Sequence, residues 1–118
     1  MATETYLGKI EVSPLAVASL ASEAVLSCYG VVGMAAAGTL RDGLVEILQR
    51  EAVHRGVEVR LHEGGIIVDL YVVVEYGTRV SEVAHNIMET VKFGLERALG
   101  MPIKQVNVHV QDLRVSNT

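Results

Sequence analysis

The side chains with the most chemical reach in this sequence are His62, His109, Asp69 and Glu75. Imidazole nitrogens with carboxylate oxygens make a plausible zinc set. Nothing in their spacing assembles them, because the two histidines and the two carboxylates are spread over three segments. Polar residues on an open sheet face are the norm, so a solvated mixed face is the reading adopted for all four. His54 and His85 read as surface residues. Nucleophilic or acid–base catalysis needs a nucleophile beside a base, or a carboxylate pair in a cleft. Serines and histidines are present, but no motif places them together. No catalytic residue, cofactor site or metal set is therefore assigned.

Gly30-Val31-Val32-Gly33 has the spacing of the backbone-clamping GXXG loop of KH RNA-binding domains. Its middle residues bring no positive charge, and the chain carries a net charge of −4. Nucleic-acid binding needs a basic surface that releases counterions. The stretch reads instead as a helix cap followed by a strand. The charge and the lack of a polybasic cluster also argue against direct docking on anionic lipid.

These residues hang on a frame built around Ile66 to Tyr76, IIVDLYVVVEY, the most apolar run in the chain. Its β-branched and aromatic content, behind Gly64-Gly65, predicts a central strand that forms the second arm of a hairpin. At period 2, Ile66, Val68, Leu70, Val72 and Val74 share an aliphatic face that belongs on the core. Ile67, Asp69, Tyr71, Val73 and Glu75 share the other face.

Around that strand the pattern predicts the order β-α-β-(α)-β-β-α-β. Tyr6 to Val12 reads as a first strand. Ser13 caps a helix with Pro14 at its first position, running to about Cys28, with Val17, Leu20, Ala21, Ala24 and Cys28 on one face. Val31 to Ala36 is a short strand, and Thr39 to about Val53 reads as a helix. Val57 to Glu63 alternates, with Glu58, Arg60 and His62 outward. Thr78 caps a helix of roughly Arg79 to Leu99, whose stripe is Val80, Ala84, Ile87, Val91, Leu95 and Ala98. Gly94 lies in that stripe, which implies close approach of another backbone. Gly100 and Pro102 end the helix. Ile103 to Leu113 is the last strand, with Gln105, Asn107, His109 and Gln111 outward.

The fold class that follows is α+β: a two-layer sandwich of one mixed sheet with helices on one face. At 118 residues the chain reads as one domain, 1–118, with an ordered core over 5–113 and a frayed tail over 114–118. Cys28 is the sole cysteine and reads as a buried thiol. No run spans a membrane and no secretory signal is legible, so the expected location is cytoplasmic. The open sheet face offers Tyr71 and Val73 ringed by Arg60, His62, Asp69, Glu75, Asn107 and His109, the anatomy of a modest protein contact. Phe93, off its helix stripe, is a second candidate contact.

Several phrases in fixed order carry a resemblance. They are Gly8-Lys9-Ile10, Gly30-Val31-Val32-Gly33-Met34, Gly56-Val57-Glu58-Val59, Val74-Glu75-Tyr76-Gly77, Ser81 to Val91 (SEVAHNIMETV) and Val106-Asn107-Val108-His109-Val110. Together they cover nearly the whole chain, which resembles the bacterial alkaline-shock protein family tied to the Gram-positive cell envelope stress response. The resemblance implies a non-enzymatic adaptor or scaffold with protein partners; the charge and the lack of a membrane-spanning run point away from nucleic acid and from membrane insertion. It also implies placement at the inner face of the membrane through a small membrane-anchored protein; self-association as a homo-oligomer is expected of such an adaptor. The alternative it implies is a regulatory partner of a dihydroxyacetone-kinase-like, fatty-acid-kinase type protein. The long charged termini of some members are missing here.

Overall fold

The computed structural model describes residues 2–37 and 45–115. In chain order the elements are β1 (Ala2–Thr5), β2 (Gly8–Glu11), α1 (Pro14–Leu26), β3 (Val31–Met34), a 3-10 helix (Arg50–Gly56), β4 (Val57–His62), β5 (Gly65–Glu75), α2 (Val80–Leu99) and β6 (Ile103–Arg114). The α+β sandwich with a mixed sheet is the architecture observed.

β5 is the axis of the sheet, as its composition predicts. β6 runs parallel along one edge, from Ile66 opposite Ile103 to Glu75 opposite Arg114. The other edge is shared. β4 pairs antiparallel with the first half, from Val57 opposite Leu70 to His62 opposite Gly65. β3 pairs antiparallel with the second half, from Val31 opposite Val74 to Met34 opposite Val72. The Ala35 N–H bonds the Tyr71 carbonyl at 3.0 Å between them. The β4–β5 loop is Glu63-Gly64, both at positive φ, 51° and 77°. This is the two-residue turn whose twist matches the strands it joins. It sits one residue earlier than the sequence suggests, because Gly65 is already in β5. A Cβ on Gly65 would meet the Lys104 side chain at 2.8 Å.

The aliphatic face of β5 packs as expected: Ile66, Val68, Leu70, Val72 and Val74 are buried with Val17 and Val25 of α1 and Val83, Ile87, Val91 and Leu95 of α2. Ser13 caps α1, its Oγ accepting from Ala16 N at 3.1 Å. The buried stripe of α1 is Val17, Ala18, Ala21, Ser22 and Val25, and Leu20 is 45% exposed. Small side chains set this rotation: Ala18 and Ser22 allow close approach, with the Ser22 hydroxyl donating to Ser19 O at 3.0 Å. In α2 the stripe is Val83, Ile87, Val91 and Leu95, while Ala98 is exposed. Thr78 is not its cap; its hydroxyl donates to Glu75 O at 2.6 Å and holds the preceding turn. Gly94 is exposed, and an added Cβ would meet nothing within 4 Å. Among the described residues no other backbone approaches it. Gly100 closes α2 in the left-handed conformation, φ 71°.

Two expected elements differ. The first strand is instead a separate hairpin, β1 against β2, with Tyr6 and Leu7 at its turn and every strand residue exposed. Short alternation signals extended backbone but not which sheet it joins. The expected helix over Thr39 to Val53 lies partly outside the described residues. Within them, Val45 to Gln49 is not helical: Ile47 bridges Ala35 antiparallel and Leu48 N bonds Met34 O at 2.7 Å. Only the 3-10 helix follows. The helical spacing of Ile47 and Leu48 loses to burial on two sides. Ile47 packs with Ala35 and Val73 on the outer face, and Leu48 packs on the core.

Candidate functional site

The outer face of the sheet carries one connected polar cluster, built from three strands. The register puts Glu58, Asp69 and Asn107 in one row and Tyr71 beside His109 in the next. Asp69 is the hub. It is only 6% exposed, flanked by Val68 and Leu70 of the core face. Arg60 donates to its Oδ2 from Nε at 3.1 Å and from Nη2 at 2.9 Å. Asn107 Nδ2 donates to Oδ1 at 3.0 Å, and His109 Nε2 lies 3.0 Å from the same oxygen. With Asp69 ionised and accepting only, Nε2 is the protonated nitrogen of that contact.

Burial pushes the Asp69 carboxyl up. The hydrogen bonds from His109, Arg60 and Asn107 and the Arg60 charge outweigh it and hold the group below the usual carboxylate range. The Tyr71 ring stacks on His109, centroids 4.6 Å apart and 14° from parallel. Its hydroxyl donates to Glu58 Oε1 at 2.7 Å. That bond, with burial and the nearby Glu58 charge, pushes the phenol up to about 12.

Arg60, Tyr71 and His109 of the expected contact residues are thus brought together. His62 shares their face at the end of β4, exposed, 3.9 Å from Glu63. Val73 does not belong: it is 0% exposed, covered by Ala35, Val45 and Ile47. The outer face is therefore roofed at one end rather than open throughout. Phe93 is exposed on α2, in the helical layer on the other side of the sheet. Asp69, expected as a solvated rim carboxylate, is the buried centre. The signal for it was an acid in the interior of an apolar strand with Arg60, Asn107 and His109 on the outward positions of its neighbours. Arg114, assigned to a frayed tail, ends β6. Its Nε donates to Asp112 Oδ2 at 3.0 Å and its Nη2 to the Val45 carbonyl, pinning the roof segment.

Among the described residues no three His, Cys, Asp or Glu side chains converge to hold a metal. Gly30, in the left-handed region, leads directly into β3, which carries a bulge between Val31 and Gly33. Cys28 is half-buried, its thiol 3.4 Å from Ala24 O. No described helix is long and apolar enough to cross a membrane.

The chain is similar to known proteins over nearly its whole length. It is 43% identical over 113 residues to the Bacillus subtilis protein named "Uncharacterized protein YloU", covering 96% of this chain and 94% of that one. It is 41% identical over 108 residues to "Uncharacterized protein Spy1614" of Streptococcus pyogenes, covering 92% and 89%. Among solved structures, the zinc form of a MamM CTD variant shares the fold, with TM-score 0.51 and 18% identity over 87% of this chain and 89% of that one. The profile of the alkaline-shock protein family, described as having a cell envelope-related function, matches residues 2–115. Together these matches establish that the chain belongs to the alkaline-shock protein family, whose function is cell envelope-related.

Proposed function

We propose that this chain is a non-enzymatic adaptor of the cell envelope stress response, and that the polar sheet face is where it binds a protein partner on the cytoplasmic side of the membrane. The observation that carries the reading is the Tyr71–His109 stack, anchored by a buried carboxylate and rimmed by the exposed Arg60 and His62. A half-buried aromatic with a charged rim matches the anatomy of protein contacts. Its groups are already ordered, so little entropy is lost on docking. Both Asp69 oxygens are engaged by their own neighbours, which suits a support for a surface better than a catalytic base. The envelope-related family supports the setting.

The test is a tagged pull-down from mildly solubilised lysate, read by mass spectrometry, with wild type beside Tyr71→Ala and His62→Ala. Recovery of a membrane-anchored protein that both variants lose supports the adaptor reading and its surface. Recovery of a kinase instead favours a regulatory-subunit role. Equal recovery by both variants removes the sheet face, and a substrate turned over at enzyme rates removes the adaptor.

A further inference from the structure

Among the described residues nothing covers either face of the N-terminal hairpin. Its turn presents Tyr6, 97% exposed, and Leu7, 83% exposed, with Ile10 behind them. The turn is ordered by Thr5, whose Oγ1 accepts from Leu7 N at 3.2 Å and donates to Gly8 O at 3.1 Å. An uncovered two-stranded hairpin is marginal in water. Two large side chains at its apex are thus left without packing among the described residues.

The same chain carries an apolar receptor of suitable size and sign. A groove of about 330 Å³ runs between the start of α1 and β4, lined by Leu15, Ala18, Val57 and Val59, with His54 and Arg55 on its rim. That volume is at the small end for ligand sites, roughly 300–1,000 Å³, enough for a side chain or two. Leu15 is 58% exposed. Among the described residues the Arg55 side chain has no hydrogen-bond or ion-pair partner. On the hairpin, Lys9 is held by Glu11 at 3.3 Å, and Glu4 leaves an acidic balance to meet the basic rim. The hairpin does not seat in its own groove: every residue of β1 and β2 is exposed. Only Val12 and Ser13 separate β2 from α1, while β2 carries the apex roughly 13 Å away, at about 3.3 Å per strand residue.

We infer that the hairpin apex of one copy seats in the α1–β4 groove of a second copy of this chain. Reciprocal seating closes a two-fold dimer; one-way seating extends a row. This surface is separate from the polar sheet face, so the inference stands or falls independently of the adaptor reading.

Sedimentation of the full chain from low to high micromolar concentration tests it. Wild type associates as concentration rises. Leu7→Asp at the apex and Leu15→Asp in the groove each weaken association about tenfold or more, the scale of one lost leucine contact. Both leave circular dichroism unchanged, since both side chains are exposed. Mixing the two variants restores association in part, because the intact apex of Leu15→Asp meets the intact groove of Leu7→Asp. Should Leu15→Asp disturb the fold, Arg55→Glu replaces it: alone it weakens association, and with Glu4→Arg it restores it. A wild type that stays monomeric, association that survives Leu7→Asp, or a mixture that stays monomeric overturns the inference.

Discussion

His109 is bound on two sides at once: its ring stacks on Tyr71 and its Nε2 meets Asp69 Oδ1 at 3.0 Å. The stack and the hydrogen bond fix both the plane and the tautomer of the imidazole. Removing the hub should therefore release more than one partner. We expect Asp69→Ala to cost about 1–3 kcal/mol, the range for a buried group deprived of its hydrogen bonds. The cost is held down because Arg60 is largely exposed and can turn to water. Chemical denaturation measures the cost. A variant as stable as wild type would mean the cluster contributes nothing to the fold.

The same carboxylate sets an acid limb. Its folded value lies below the ordinary one, so its contribution is complete above the unfolded value, about 3.9. It is lost as pH falls through the folded value. Thermal melts from neutral pH downward should show stability falling below about pH 4, again by the unfolded carboxylate value. Asp69→Asn should flatten that limb.

Tyr71 predicts the opposite sign at the alkaline end. Its folded value is pushed up to about 12, so its contribution holds below the unfolded value, about 10, and fades as pH rises through the folded one. Absorbance titration should show one tyrosine ionising late. Glu58→Gln should bring that step down, because Glu58 supplies the largest part of the shift. A late step unmoved by Glu58→Gln would assign it elsewhere.

Two glycines should respond oppositely to alanine. At Gly94 there is open space around the missing Cβ in a helix interior, so Gly94→Ala should stabilise by about 0.5–1 kcal/mol. At Gly33 an added Cβ would lie 2.6 Å from Ile47 Cγ2, a methyl on a stiff β-branched side chain. Gly33→Ala should cost about 1–3 kcal/mol, and Ile47→Ala should suppress part of that cost in a double-mutant cycle. Additive effects would show that Ile47 is not the obstacle.

Much of this frame was legible in sequence. The alternation in IIVDLYVVVEY gave the register and core face of β5, because a single-residue slip would move its whole aliphatic set to the other side. Gly100 announced the end of α2 by its left-handed need. What failed were inferences that depend on partners distant in sequence. Asp69 looked solvated because its spacing to Arg60 and His109 in the fold exists only once three strands are registered. Val73 looked like a contact because the segment that covers it, around Ile47, carried helical spacing. Gly94 looked buried because a wheel assigns faces by angle and cannot see that the neighbouring backbone is absent. The cluster was thus half-read: Arg60, Tyr71 and His109 were singled out as its members, while the charge that joins them was left at the rim.

The end-to-end placement of β3 and β4 along β5 has a consequence for the order in which the chain can form. β3, β4 and β5 are adjacent in synthesis and pair antiparallel, whereas the remaining edge of β5 waits for β6, after the whole of α2. Parallel closure across a helix is the slow, non-local step of such a topology. A chain stopped before Ile103 would leave eleven residues of valine-rich strand with an open edge, a template for pairing with other chains. The last strand is thus also the safeguard: once Ile103 to Arg114 pairs along β5, that edge is covered.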